Sequence, residues 1–265
     1  MIIIRTLTLE LRDNIVNMLV IQSYLKKIKY IFMKSFEFNK IDESGIILDI
    51  NNLSKIIKNE LHKISCKNIS FAIQNENIIN RNIKILNTTI DKDIIGLIKY
   101  ELSNYMPINI NDYTLKYRVI DKKEKYLDVQ VILMPKLIIK NYKDLASLLK
   151  LKPKNLSVNF DILNNLMANE TIKLEGKKSL ILDIGNIYTN VNFIEYNFIK
   201  NSYTLNNKYI YEFLENKISK NNRIYYYGVE DKEMLNLLDD NFNLNKINIK
   251  NDINLTRYIN NIGVF

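Results

Sequence analysis

At 265 residues, 47% of them apolar and 25% charged, the chain is long enough to bury a sizeable core and too apolar for wholesale disorder. One cysteine, Cys66, excludes an internal disulfide framework, and the lone histidine, His62, sits in a helical pattern as a surface or packing residue, which argues against His-based metal sites and Ser-His-Asp or Cys-His catalysis. The net charge of +9 invites nucleic acid or an anionic membrane as partner, but the lysines fall in short scattered runs (Lys26, Lys27 and Lys29; Lys122, Lys123 and Lys125; Lys150, Lys152 and Lys154) of the kind usual on solvated loops.

The amino-terminal segment carries Arg5, Glu10, Arg12 and Asp13, so a signal peptide is not expected there, and no apolar run approaches the roughly 18 residues that span a bilayer. Alternation predicts strands over 7–11 and 15–21 around a turn at Arg12, Asp13 and Asn14, then a third strand over 28–38. Leu53, Ile56, Ile57, Leu61 and Ile64 share one helical face, capped by Asn51 or Asn52, and a strand over 69–73 follows. The next stretch reads as a strand over 78–86 and a helix from Asp91, with Ile94, Ile95, Ile98, Leu102 and Tyr105 on one face. Pro107 ends that helix, and strands over 113–120 and 127–133 are joined by a charged turn at 121–125. A helix through Leu137, Tyr142, Leu145 and Leu149, a strand over 156–158 and a helix over 162–167 come next.

Strands over 180–183, 189–195 and 199–205 then turn at Gly185 and Asn197. A helix through Ile210, Phe213, Leu214 and Ile218 leads to a strand over 223–227 that stops at Gly228. A helix through Met234, Leu235 and Leu238, a strand near 247–249 and a helix from about Leu255 complete the pattern. The order strand-strand-strand-helix-strand therefore occurs twice, which predicts an α/β fold of duplicated βββαβ units facing across a cleft. The expected boundaries are 1–75 with 135–176 for the first half, 76–134 for a small β-α-β-β insert, and 177–265 for the second half. Within the second half, LDIGNIYTNVNF places Asp183 at a strand end, Gly185 and Asn186 in a turn, and Thr189 on the next strand. Such a turn can hold a nucleotide's phosphates and metal ion; it can equally be an ordinary hairpin.

Several stretches resemble the PilM family of type IV pilus assembly proteins, in the actin-like ATPase superfamily. LDIGNIYTNVNF is similar to the family's second phosphate loop. KYELSNYMPININDYTLKYRVI is similar to its insert subdomain, with Glu101, Tyr105, Pro107 and Tyr117 at matching places and Arg81 ahead of them. LKLKPKNLSVNFDILNNL is similar to the segment leading back, with Leu151 and Pro153 aligned. The resemblance implies an actin-like (RNase H-like) fold with a small α+β insert subdomain. Departures accompany it. The first phosphate loop has Glu10, Leu11, Arg12 and Asn17 where the family has Asp-Ile-Gly and a lysine, and the adenosine loop keeps one glycine, as Tyr227, Gly228 and Val229. Only Lys220, Asn221 and Asn222 stand where family members insert an outer subdomain, so that subdomain is expected to be missing.

What the resemblance implies for function is a cytoplasmic actin-like scaffold of a type IV pilus inner-membrane platform, peripheral to the inner face of the membrane. It would bind the cytoplasmic segment of a PilN-like membrane protein. Tyr105, Pro107, Tyr113 and Tyr117 of the insert are the candidate lining for that peptide; the same tyrosines would also serve to pack the insert's own core. Asp183, Gly185, Asn186, Thr189 and Gly228 are the remnant nucleotide pocket. No cofactor, no metal and no nucleic acid are expected. The alternative is an active ATPase or switch of a pilus or type II secretion machine binding ATP and magnesium, with Asp183 positioning a metal-bound water, Asn186 and Thr189 near the phosphates, Glu10 on the metal side and Arg12 on a phosphate.

Overall fold

A computed structural model describes every residue except 1, 2, 26, 43, 76, 88–90, 219–221, 248 and 250–252. Lys26, Lys220, Asn221 and the middle of the strand expected at 247–249 lie outside the described residues.

The chain opens with a three-strand meander. β1 (Ile4–Arg12) passes into β2 (Ile15–Tyr24) through Asp13 and Asn14, at φ 50° and 62°. A two-residue hairpin of matching twist needs positive φ at both positions, and Asp and Asn tolerate it. β3 (Lys27–Glu37) pairs antiparallel with β2. α1 (Ile50–Glu60) is capped by Asp49, whose carboxylate accepts from the Asn52 amide, so Asn51 and Asn52 sit inside the first turn and are not the cap; Ile64 falls beyond the helix end. β4 (Asn68–Ile73) returns parallel to β1.

β5 (Ile79–Leu86), α2 (Asp91–Tyr105), β6 (Tyr113–Lys122) and β7 (Tyr126–Pro135) form an antiparallel sheet ordered β5-β7-β6 with one helix. Ile94, Ile98 and Leu102 of α2 cluster with Leu127, Val129, Val131 and Leu133 of β7. Ile95 and Tyr105, expected on the same helical face, are exposed. At 100° per residue, position 95 lies a quarter turn off the 94–98–102 line.

α3 (Lys136–Leu148) buries Ile138, Tyr142, Leu145 and Ala146, while Leu137, expected on the buried face, is exposed one position off that line. β8 (Lys152–Val158) and α4 (Asn159–Ala168) follow. The second half repeats the opening with β9 (Lys178–Ile184), β10 (Tyr188–Glu195), β11 (Phe198–Asn206), α5 (Ile210–Lys217) and β12 (Arg223–Gly228), then α6 (Lys232–Asp239) and β13 (Asn243–Lys246). β13 lies upstream of the expected 247–249, where Leu244 and its neighbours pair with β12. A 3₁₀ turn over Ile253–Tyr258 and α7 (Ile259–Gly263) replace the single helix expected from Leu255.

The two large sheets are ordered β3-β2-β1-β4-β8 and β11-β10-β9-β12-β13, the same topology built twice. Residues 1–75 and 141–265 form one compact unit that holds both sheets; residues 76–140 form the other. In the second sheet Leu180, Leu182, Ile184 and Val191 pack on Ile210 and Leu214 of α5 and Leu238 of α6. α7 crosses back to pack on α4 and on β1, β2 and β4. Five residues, 218–222, join α5 to β12, at the place where the outer subdomain of family members was expected to be missing.

Candidate functional site

The meander turns of the two halves meet in the cleft between the large sheets. From the first turn the Arg12 guanidinium reaches across: Nη1 pairs with Asp183 Oδ1 at 2.7 Å, and Nη2 donates to the backbone carbonyls of Asp183 (2.8 Å) and Tyr188. Next to it, Asp13 Oδ2 accepts from the backbone amides of Ile187 (2.9 Å) and Tyr188 (3.4 Å) in the second turn. Gly185 permits this approach. A Cβ built there would stand 2.3 Å from Asp13 Oδ2, 2.6 Å from Arg12 Nε and 2.7 Å from Tyr188 O. The second turn is itself braced by Asn207, whose Nδ2 donates to the carbonyls of Gly185 and Asn186 and whose Oδ1 accepts from the buried Thr189 hydroxyl at 2.8 Å.

Beneath the turns lies a buried polar network. Asp183 Oδ2 accepts from the amides of Asn159 (2.8 Å), Asn190 (3.0 Å) and Asn260 (3.1 Å). Tyr227 donates to Asn260 Oδ1 at 2.9 Å; burial, reinforced by Asp183 and Glu10, pushes its pKa well above the usual value and keeps it a donor. Glu10 accepts from Asn260 (2.6 Å) and Asn17 (3.1 Å). Burial first, and the Asp183 charge second, raise the Glu10 carboxyl from 4.5 to about 7. The Arg12 charge and the amides of Asn260 and Asn17 pull the other way.

Stability should therefore depend on pH through Glu10. The folded chain keeps that proton up to about pH 7 and the unfolded chain releases it near 4.5. The stabilisation is fully present below the unfolded value and is lost as pH rises through the folded one. Thermal melts should show wild type losing ground to Glu10→Gln between pH 5 and pH 8. Asn17 Oδ1 is buried without a partner, so a flipped Asn17 amide gives the new Gln an acceptor. A wild type and variant that melt in parallel across this range would remove Glu10 as the source.

In this cleft the chain's own charged side chains partner one another. The Ile187 and Tyr188 amides are taken by the Asp13 carboxylate, and the Asp183 carboxylate is paired with the Arg12 guanidinium. One cavity of the cleft is lined by Glu10, Asn17, Asn186, Tyr227 and Gly228, and a second beside it by Gly228, Val229, Glu230, Lys246 and Arg257. Among the described residues no group of three or more acidic, His or Cys side chains is placed to hold a metal.

The structure brings Asp183, Gly185, Asn186 and Gly228 together along this cleft, with Thr189 turned to Asn207. Gly228 stands at φ +104°, where a Cβ would lie 2.1 Å from Ile184 O, so its contact is with β9. In the insert the four candidate residues separate: Tyr113 and Tyr117 pack partly buried against that unit's own core, whereas Tyr105 and Pro107 are exposed. Cys66 is half-buried and burial pushes its thiol up to about 11, the opposite of an activated nucleophile. Reasoning from sequence missed Asn159, Asn190, Asn207 and Asn260. The register of a repeated fold was the one signal available, since it places residue 190 opposite residue 183.

No protein-family model matches the chain, and no curated protein sequence matches it. Solved structures do match. A chain of the PilM-PilN type IV pilus biogenesis complex superimposes with a TM-score of 0.80 at 15% identity, covering 98% of this chain and 97% of that one. A Bacteroides thetaiotaomicron protein with an actin-like ATPase fold and unknown function gives 0.56 at 12% identity, over 96% and 95% of the two chains. The cytoplasmic domain of EpsL, an inner membrane component of the type II secretion system of Vibrio cholerae, gives 0.53 at 10% identity, over 89% and 94%. The fold is thus the actin-like one, and its likeness to PilM runs the length of the chain.

Proposed function

We propose that this chain is a scaffold of an actin-like pilus or secretion assembly platform that works without bound nucleotide and holds the cytoplasmic segment of a PilN-like membrane protein. The observation that carries the first part is the Arg12–Asp13 turn. Its guanidinium pairs with Asp183 and its carboxylate accepts from the Ile187 and Tyr188 amides, which withdraws those donors from a bound phosphate. The partner is supported by the fold likeness to a chain of a PilM-PilN complex and, more distantly, to EpsL. It would place the protein in the cytoplasm, attached to the inner membrane through that partner. Tyr105 and Pro107 are the exposed candidates for holding a peptide, as an aromatic ring and a donor-free backbone suit an extended segment.

Calorimetric titration with MgATP tests the first part. No heat is expected at millimolar ATP. Micromolar binding, roughly 8 kcal/mol, abolished by Asp183→Ala would overturn it in favour of a nucleotide-driven switch. The second part is tested by fluorescence anisotropy with a labelled peptide, the cytoplasmic amino-terminal segment of the PilN-like protein of the same organism. Saturable binding, weakened about tenfold by the surface substitution Tyr105→Ala, is expected for a hot-spot aromatic. A wild-type chain that ignores the peptide would remove the partner.

A further inference from the structure

The cleft lies at the carboxyl end of β1; the opposite end of the same sheet carries an exposed aliphatic tip among cations. Backbone register defines that end. Ile28 lies opposite Ser23, and Ser23 opposite Ile4. The Lys67 amide donates to the Arg5 carbonyl, and the Lys152 amide to the Lys67 carbonyl. One row therefore crosses all five strands. On it or just beyond it stand Ile3, Ile4, Leu25 and Ile28, with Leu25 77% exposed. Segments 3–5, 23–25, 27–29, 61–68 and 149–154 hold eight Lys and Arg residues, with Lys27, Lys29, Lys67 and Lys152 among the exposed ones, and no Asp or Glu.

Leu25 is unfavourable to the isolated fold on two counts. Its side chain is in water, and its backbone, at φ 45°, is in the left-handed region that glycine or asparagine would occupy without strain. Exposed aliphatic groups beside lysines, on segments that hold no Asp or Glu, match a surface that is apolar below and anionic above. No helix among the described residues is long and apolar enough to cross a membrane, so such a contact is interfacial.

We propose that this end of the first sheet docks directly on an anionic lipid bilayer, with Leu25 and Ile28 entering the interface and the surrounding lysines meeting headgroup phosphates. Nucleic acid would use the lysines but leaves the aliphatic centre without a partner, since among the described residues of these segments the one exposed ring is His62. The inference rests on none of the cleft's features and needs no protein partner.

The chain contains no tryptophan, so Leu25→Trp introduces a single reporter. With vesicles of phosphatidylcholine and phosphatidylglycerol at 3:1, its emission should shift to the blue and be quenched by brominated acyl chains; with phosphatidylcholine alone it should not move. In sedimentation with the mixed vesicles, Lys27→Gln and Lys29→Gln should each lower the partition about fivefold. Leu25→Asp with Ile28→Asp should lower it further, with an unchanged circular-dichroism melt because both positions are exposed. An unshifted Leu25→Trp spectrum, or sedimentation indifferent to the two aspartates, would overturn the proposal. So would release from the mixed vesicles by a small excess of single-stranded RNA, which would assign the lysines to nucleic acid.

Discussion

Arg12→Ala should cost about 3–5 kcal/mol of folding stability, a large share of the roughly 5–15 kcal/mol that holds a domain together. The guanidinium is the one cation paired to the buried Asp183 carboxylate, and its second nitrogen serves two backbone carbonyls of the opposing turn. Truncation leaves that carboxylate with amide donors and no counter-charge. Arg12→Lys should recover only part of the loss, since an ammonium cannot fork to a carboxylate and two carbonyls at once. Removing both charges, as Arg12→Met with Asp183→Asn, should recover more than half of it. Urea unfolding of the four proteins measures this directly. A loss below about 1 kcal/mol for Arg12→Ala would mean that the two turns are not locked by the pair.

Gly228→Ala is the second large effect, at about 3 kcal/mol or more. Two terms contribute: a left-handed backbone that costs an L-residue about 1–2 kcal/mol, and a Cβ pressed into the Ile184 carbonyl, which overpacking puts at about 1–3 kcal/mol. The obstacle is backbone, on a strand whose carbonyl accepts from the Val229 amide, so it cannot rotate away as a side chain would. Gly96→Ala is the internal control. It lies exposed on α2 with nothing within 4 Å of a new Cβ, and should stabilise by about 0.5–1 kcal/mol. If Gly228→Ala melts like wild type, the pairing of β12 with β9 at Gly228 and Ile184 is looser than its geometry requires.

The duplicated fold was legible because it is written in periods: two meanders, each with Asp, Asn or Gly at its turns, each followed by an amphipathic helix and a strand. The errors sit where period is short of information. Leu137 and Ile95 are apolar residues one step from a buried line, and nothing local distinguishes them from their neighbours. The strand expected at 247–249 is a case of burial without pairing, since Ile247 and Ile249 are buried but the strand that reaches β12 is the polar Asn243–Lys246. In the cleft, Asp183, Gly185 and Gly228 stood out by type and spacing. Arg12 also stood out, as a residue that spoils a phosphate loop, but its bond to Asp183 spans 171 residues and no pattern along the chain encodes it. The asparagines that complete the network come from three distant segments of a chain rich in asparagine everywhere, so their number conceals them.

Asn260 and Asn261 carry a consequence for how the chain is made. Asn261 donates to the carbonyls of Thr8 and Asn17, and Asn260 closes on Glu10 across 250 residues. At about 5–20 residues per second a ribosome needs roughly ten to fifty seconds to lay down that interval. For all of that time the meander β1–β3 has Glu10 met by Asn17 alone, while the insert, whose contacts lie within 76–140, can fold as soon as it is out. β1 thus waits some 250 residues for the Asn260 amide, and a holdase that shields nascent β-meanders would find a long exposure here.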